Sequence, residues 1–276
     1  MAMSIRTNIS SLNAQRNLYS TQNQMDSSLS RLSSGFRITK AGDDAAGLGI
    51  STKLESQIRS YAQAVRNAND GISVIQSTEA ALNEQANVLT RLRELAMQSA
   101  SDGVGNSERA YIDRESTALV SELERIAQVA EYNGTKLLNG AAATLDFQVG
   151  VYATSNDAIS FVGLNATTGS TGLAVSGIGL ASKASALAAL ASLDYALTQV
   201  SDKRATLGAN GNRFQSAIAN IQAFSESLSA ANSRIKDVDV AEETSRMSRS
   251  QILLQAGVSV LAQANQMPQM ALKLLG

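Results

Sequence analysis

Asp43 and Asp44 are adjacent, and Asp237 and Asp239 stand two apart; these are the carboxylate pairs whose spacing could carry chemistry. Two carboxylates at one reacting centre can share acid and base roles, and acids alternating along a loop can ligate calcium. Neighbours in sequence point apart on a helix, however, and no second acid or histidine accompanies Asp43 and Asp44. Around Asp237 and Asp239 the Gly and the terminal Glu of a calcium loop are missing. Histidine and cysteine are absent from all 276 residues. Their absence excludes Ser-His-Asp and Cys-His nucleophiles, Cys/His zinc sites, disulfides and redox thiols. Lysine- or carboxylate-based catalysis stays formally open, but no catalytic, cofactor-binding or metal-ligating residue is expected. Asp43 or Asp44 reads better as the N-cap of the Ala-rich helix that follows, with an intersubunit contact to Arg31 or Arg37.

The elements that must position these residues are long helices with heptad-spaced apolar rows. At the start, Ile5, Leu12 and Tyr19 stand seven apart, and the stripe then shifts to Leu18, Met25 and Leu32, flanked by Ile9, Leu29 and Phe36. At the end, Leu253, Val260, Met267 and Leu274 repeat every seven, with Gly257, Ala264 and Ala271 at the small positions and Met247, Leu254 and Leu261 as a second row. Such spacing marks helices that seek partner helices. Leaving Leu253, Val260, Met267 and Leu274 exposed would forgo about 1.5–3 kcal/mol each. Together that is about 6–12 kcal/mol, the scale of a whole domain's stability. The ends are therefore predicted to order on association.

Helix is predicted from Ile5 to about Ser33, with a looped connection through Ala41–Asp44. A second helix carries Val65, Ala68, Ile72, Ile75, Leu82, Leu89, Leu92 and Ala96, and ends at Ser101–Asn106. A third runs from about Ser107 to Glu131, followed by the turn dipeptides Asn133-Gly134 and Asn139-Gly140. Between Gly140 and Ser182 only Asp146 and Asp157 are charged. There, alternation from Leu145 to Val151 predicts a strand, Ile159 and Phe161 a second, and Gly163–Gly179 a glycine-rich connection or hairpin. Helix resumes near Ala184 and continues towards Met270, with a break admitted by Gly208-Ala209-Asn210-Gly211. The fold class is mainly α: a long antiparallel helical bundle or coiled coil from both termini, with a small β-hairpin insertion.

Net charge is −1, from 23 basic and 24 acidic residues, with no basic block, so a nucleic-acid surface is not expected. The opening MAMSIRTNIS lacks an apolar core and cleavage site, so no conventional signal peptide is expected. Residues 250–272 are uncharged, yet Gln251, Gln255, Gln263, Asn265, Gln266 and Gln269 interrupt them. Buried amides are costly in lipid, so the segment reads as a protein–protein helix and no membrane insertion is expected.

The stretch Leu32-Ser33-Ser34-Gly35-Phe36-Arg37 through Ala41-Gly42-Asp43-Asp44-Ala45-Ala46-Gly47 to Ser51 resembles the N-terminal signature of bacterial flagellin. The run Ser233-Arg234-Ile235-Lys236-Asp237-Val238-Asp239, continuing through Met247-Ser248-Arg249-Ser250-Gln251-Ile252-Leu253 to Gln266, is similar to that family's terminal helix. Asn133–Leu138 and Ile5–Arg16 match as well, so the resemblance covers about 1–150 and 183–276. It implies a secreted, extracellular subunit that self-assembles into the flagellar filament for motility. The inner terminal-helix domain would be 1–43 with 235–276, and the outer helical bundle 44–234. About 43 residues, 140–182, stand where larger members carry outer domains, so a thin, smooth filament is expected.

The resemblance further implies a flagellar export apparatus, an export chaperone covering the C-terminal stripe, and hook-associated and cap proteins as partners. The expected subunit interface comprises Ile5, Leu12, Leu18, Met25, Leu32, Met247, Leu253, Leu254, Val260, Leu261, Met267 and Leu274. Arg91, Glu94, Leu95 and Glu115 match the surface that an animal Toll-like receptor reads in some flagellins, with Thr90 departing from their usual Gln. Leu95 also fits ordinary core packing. A hook–filament junction protein, with similar end helices, is the alternative; an inserted enzyme lacks a catalytic constellation, and an adhesin lacks an outer domain.

Overall fold

The computed structural model describes residues 7–141 and 144–275, with side-chain surroundings as far as residue 266. Within these, the chain runs α1 (Ile9–Ser34), α2 (Ala45–Ala100), α3 (Asn106–Val129), β1 (Glu131–Tyr132), β2 (Thr135–Lys136), β3 (Thr144–Gln148), β4 (Ala158–Val162), α4 (Lys183–Lys236) and α5 (Val240–Leu275). Two compact units result: residues up to 58 with those from 226 onward, and residues 59–225.

Local chemistry sets the helix ends. Asn8 Oδ1 accepts the Ser11 N–H at 3.1 Å as the α1 N-cap, and Gly35 closes that helix in the left-handed conformation, φ 74°. Asp44 Oδ1 accepts the Gly47 N–H at 2.8 Å and so caps α2. Asp43 instead ties the preceding loop: its Oδ2 accepts Thr39 N–H, Thr39 Oγ1–H and Lys40 N–H. These bonds, led by the Thr39 N–H, hold the Asp43 carboxyl below its ordinary pKa. Arg31 lies 3.7 Å from Asp43 in the same chain, so that contact needs no second subunit.

The break that Gly208–Gly211 would admit does not occur, and α4 runs unbroken to Lys236. Leu207 and Phe214 on either side are buried, and this packing outweighs the weak helix propensity of glycine. The chain turns instead at 237–239. There Arg37 N–H donates to Lys236 O, Val238 N–H donates to Gly35 O, and Asp239 Oδ1 caps α5 by accepting from Ala241 and Glu242.

In the unit of residues 59–225, one apolar core joins α2, α3 and α4, with Leu82, Leu89, Leu92, Leu95, Leu123 and Leu193 fully buried. Phe214 of α4 lies so close to α2 that a Cβ at Gly71 would sit 2.6 Å from its ring. Strands β1 and β2 close through Asn133 (φ 48°) and Gly134 (φ 77°), a two-residue turn with both residues left-handed. Strands β3 and β4 pair antiparallel, Phe147 opposite Ile159. The expected strand through Val151 stops at Gln148, because Val149 and Gly150 both donate to Asp157 O and turn the chain.

Residues 163–181 form an anchored loop and not a hairpin. Glu124 Oε2 accepts both the N–H and the hydroxyl of Thr168 at 2.8 Å, and Asp113 Oδ1 accepts the Leu180 N–H at 2.6 Å. Ala166, Leu173, Val175 and Leu180 are buried beneath it.

Candidate functional site

Helices α1 and α5 form an antiparallel pair. Asn8 Nδ2 donates to Ala264 O at 2.8 Å and Ser11 Oγ donates to Asn265 Oδ1 at 2.9 Å at one end; Val238 N–H donates to Gly35 O at 3.1 Å at the other. Between these ends small residues alternate along the seam, and Leu18 packs over one of them: a Cβ built on Gly257 would lie 3.5 Å from Leu18 Cδ1, in ordinary contact. Counting outward by heptads from that approach sets Met25 opposite Ser250, with Thr21 opposite Leu254 and Ser28 opposite Met247 in the alternate layers. Large side chains of each helix thus meet small ones of the other.

This register separates the rows expected from the sequence. Leu18, Met25, Leu32, Met247, Leu254 and Leu261 face the seam and are half-buried. Leu12 is 51% exposed, Leu253 49% and Val260 59%, so these point away from it, as do Ile9, Tyr19, Ile252 and Val258. Ile5 lies outside the described residues, as do the side chains of Met267 and Leu274. The buried residues at the seam are Ser11, Ser28, Glu243, Ser250 and Ala264. Of these, the apolar rows pointed only to Ala264, as a small position; for Ser11, Ser28, Glu243 and Ser250 the alternation of small and large residues along each row was the available signal.

The second cluster lies on α2 and α3. Arg91 donates to Glu115 at 2.9 Å and to Glu94 at 3.1 Å. These carboxylates, Glu115 foremost, raise the Arg91 pKa above its ordinary value. All three side chains are about half exposed. Leu95, by contrast, is 2% exposed and belongs to the core. The apolar periodicity gave no reason to single out Arg109. It is buried, and its guanidinium donates to Ser99 O and Ser101 O, covering carbonyls left orphaned at the C-terminus of α2. Among the described residues no group of three acids could hold a metal ion, and no helix is long and apolar enough to cross a membrane.

Residues 5–143 match the bacterial flagellin N-terminal helical region, and residues 190–275 match the bacterial flagellin C-terminal helical region. A flagellin of Halalkalibacterium halodurans is 42% identical, over 99% of this chain and all of that one. The flagellar filament 30.7 kDa core protein of Treponema maltophilum is 40% identical over the same shares. Flagellin D of Vibrio cholerae is 37% identical with both chains fully covered. Among solved structures, one assigned to a flagellar hook-associated protein from Vibrio parahaemolyticus aligns at TM-score 0.60 and 13% identity, over 71% of this chain and all of that one. That likeness is one of fold.

Proposed function

The chain belongs to the bacterial flagellins, and from that membership we propose how its surfaces serve the filament of which it is a structural, self-assembling subunit. The outward rows, Leu12 on α1 with Leu253 and Val260 on α5, are the contact between copies. The seam rows Leu18, Met25, Leu32, Met247, Leu254 and Leu261 hold the two terminal helices of one copy together. Ile5, Met267 and Leu274 continue the contact by their heptad spacing. The observation that carries this reading is the exposure of Leu253 and Val260 in a segment, 250–272, that has no charge. Each such side chain gains about 1.5–3 kcal/mol when another copy covers it, and a run without charge avoids like-charge repulsion between stacked identical helices.

In this proposal residues 1–43 and 235–276 form the inner layer and 44–234 the outer one. The chain is exported to the filament, with the export apparatus, a chaperone on the α5 row, and hook-associated and cap proteins as partners. Electron microscopy of purified protein after raising the salt tests it. Long helical filaments are expected, and their failure to form even on seeds would favour a junction protein.

The cluster of Arg91, Glu94 and Glu115 is proposed as a Toll-like receptor surface, with Leu95 supporting it from beneath. Arg91→Ala should weaken binding of the unassembled chain; unchanged affinity would remove this part.

A further inference from the structure

Beside the α1–α5 seam lies a pocket of about 270 Å³ whose lining includes three guanidinium groups, Arg31, Arg246 and Arg249, and one carboxylate, Glu243. Their hydrogen bonds are unevenly spent. Arg246 donates to Glu242 at 2.5 Å and lies 3.7 Å from the buried Glu243, so acids of its own helix occupy it. Arg31 is different. Its only ion pair among the described residues is to Asp43 at 3.7 Å, beyond hydrogen-bond reach. Its Nε is buried with no partner. Asp43 cannot readily move closer, because its other oxygen already holds Thr39 and Lys40. Arg249 has neither an ion pair nor a side-chain hydrogen bond among the described residues. Ser28 and Ser250, both buried in the same lining, likewise have hydroxyls with no protein partner there.

A pocket that keeps two guanidinium groups and two hydroxyls in reserve is matched to a ligand that only accepts. Guanidinium forks pair with planar or tetrahedral oxyanions through two parallel N–H···O bonds, and a buried donor without an acceptor is otherwise a standing cost. We propose that this pocket is an oxyanion site, in which Arg31 and Arg249 donate to a carboxylate or an inorganic oxyanion and Ser28 and Ser250 complete its shell. The anion is either free in solution or an acidic side chain of a second copy. The second source rests on the assembly proposed above, whereas binding of a free oxyanion by the unassembled chain does not.

The test titrates sodium sulfate into the full-length unassembled protein at constant ionic strength, with sodium chloride as the balancing salt. Binding is read by calorimetry and by the shift in melting temperature. Saturable binding of one sulfate is expected, weakened at least tenfold in Arg249→Gln and in Arg31→Gln, and unchanged in Arg213→Gln, a distant arginine of α4. Arg249 is exposed, so its variant should fold, which circular dichroism checks. A response no larger than that to chloride, or equal in wild type and Arg249→Gln, overturns the proposal. Filaments are then assayed for labelled sulfate. Retention of one per subunit assigns the site to a free anion, and loss on assembly with sulfate slowing polymerisation assigns it to a neighbour's carboxylate. Filaments that fail to form would bear on the assembly reading and leave the sulfate result standing.

Discussion

In the bundle of α2, α3 and α4, Leu82, Leu89, Leu92, Leu123 and Leu193 are wholly buried, whereas in the α1–α5 pair the positions that leave solvent include Ser11, Ser28, Ser250 and Ala264. Both regions carry heptad rows of apolar residues. Three helices with a loop laid over them can enclose a row from several sides, but two helices share a single seam, and an amphipathic stripe is wider than that seam. The pair therefore sets large residues against small ones along its seam and leaves Leu12, Leu253 and Val260 on the flanks. One region spends its apolar surface on its own stability; the other leaves it exposed, where the proposed contact between copies would cover it.

The comparison can be broken in four ways. Replacing both Leu253 and Val260 by Asp should forgo about 3–6 kcal/mol of contact between copies and raise the critical concentration for assembly at least a hundredfold. The unfolding free energy of the unassembled chain should move by less than about 0.5 kcal/mol. Urea titration and sedimentation read both quantities, and a large loss of monomer stability would erase the distinction. Phe214→Ala, in the bundle, should do the reverse. A buried aromatic ring packed on Gly71 and edge-on to Phe147 is lost, at about 3–5 kcal/mol by urea unfolding.

Gly257→Leu sharpens the account of the seam. A Cβ at that position would already touch Leu18, so the further atoms of a leucine should overpack the seam at about 1–3 kcal/mol and speed amide exchange in α1. Exchange at unaltered rates would mean that the small row does not set the approach. The smallest effect is pH-dependent. The Glu124 pKa is lowered, first by its hydrogen bond from Gln128 and then by the Thr168 N–H. A lowered folded value means that the stabilisation is present above the unfolded value, about 4.3, and lost as pH falls through the folded value. Protection of the Thr168 amide should therefore persist in mild acid and drop only once the pH falls below that unfolded value, and Glu124→Gln should flatten that profile.

Most helices were legible because their rows are long and their breaks carry strong signals such as Asp44 and Gly35. The Gly208–Gly211 segment left a break open because two glycines look alike to local reasoning whether or not Leu207 and Phe214 are buried on either side. For 163–181 the choice between connection and hairpin stayed open for a related reason: the anchors of the observed loop, Asp113 and Glu124, lie far back in α3, and no window along the chain contains both partners. At the candidate interface the two rows of each terminal helix were visible. Which row faces inward was not, because heptad spacing is satisfied by either one. The answer lay in residue size: Gly257 and Ala264 stood out as small positions of the α5 row, but Ser250, Thr21 and Ser28 carry no apolar signal.

The alternation of large and small along the seam also works as a vernier. Shifting α5 along α1 by half a heptad would bring Leu18 against Leu254 or Leu261, large upon large. Shifting it by a whole heptad, about 10 Å along the axis, would restore large upon small, with Leu18 against Ser250 or Ala264. The pair therefore admits only discrete settings. The hydrogen bonds of Asn8 and Ser11 at one end, and of Gly35 and Arg37 at the other, select which setting is occupied.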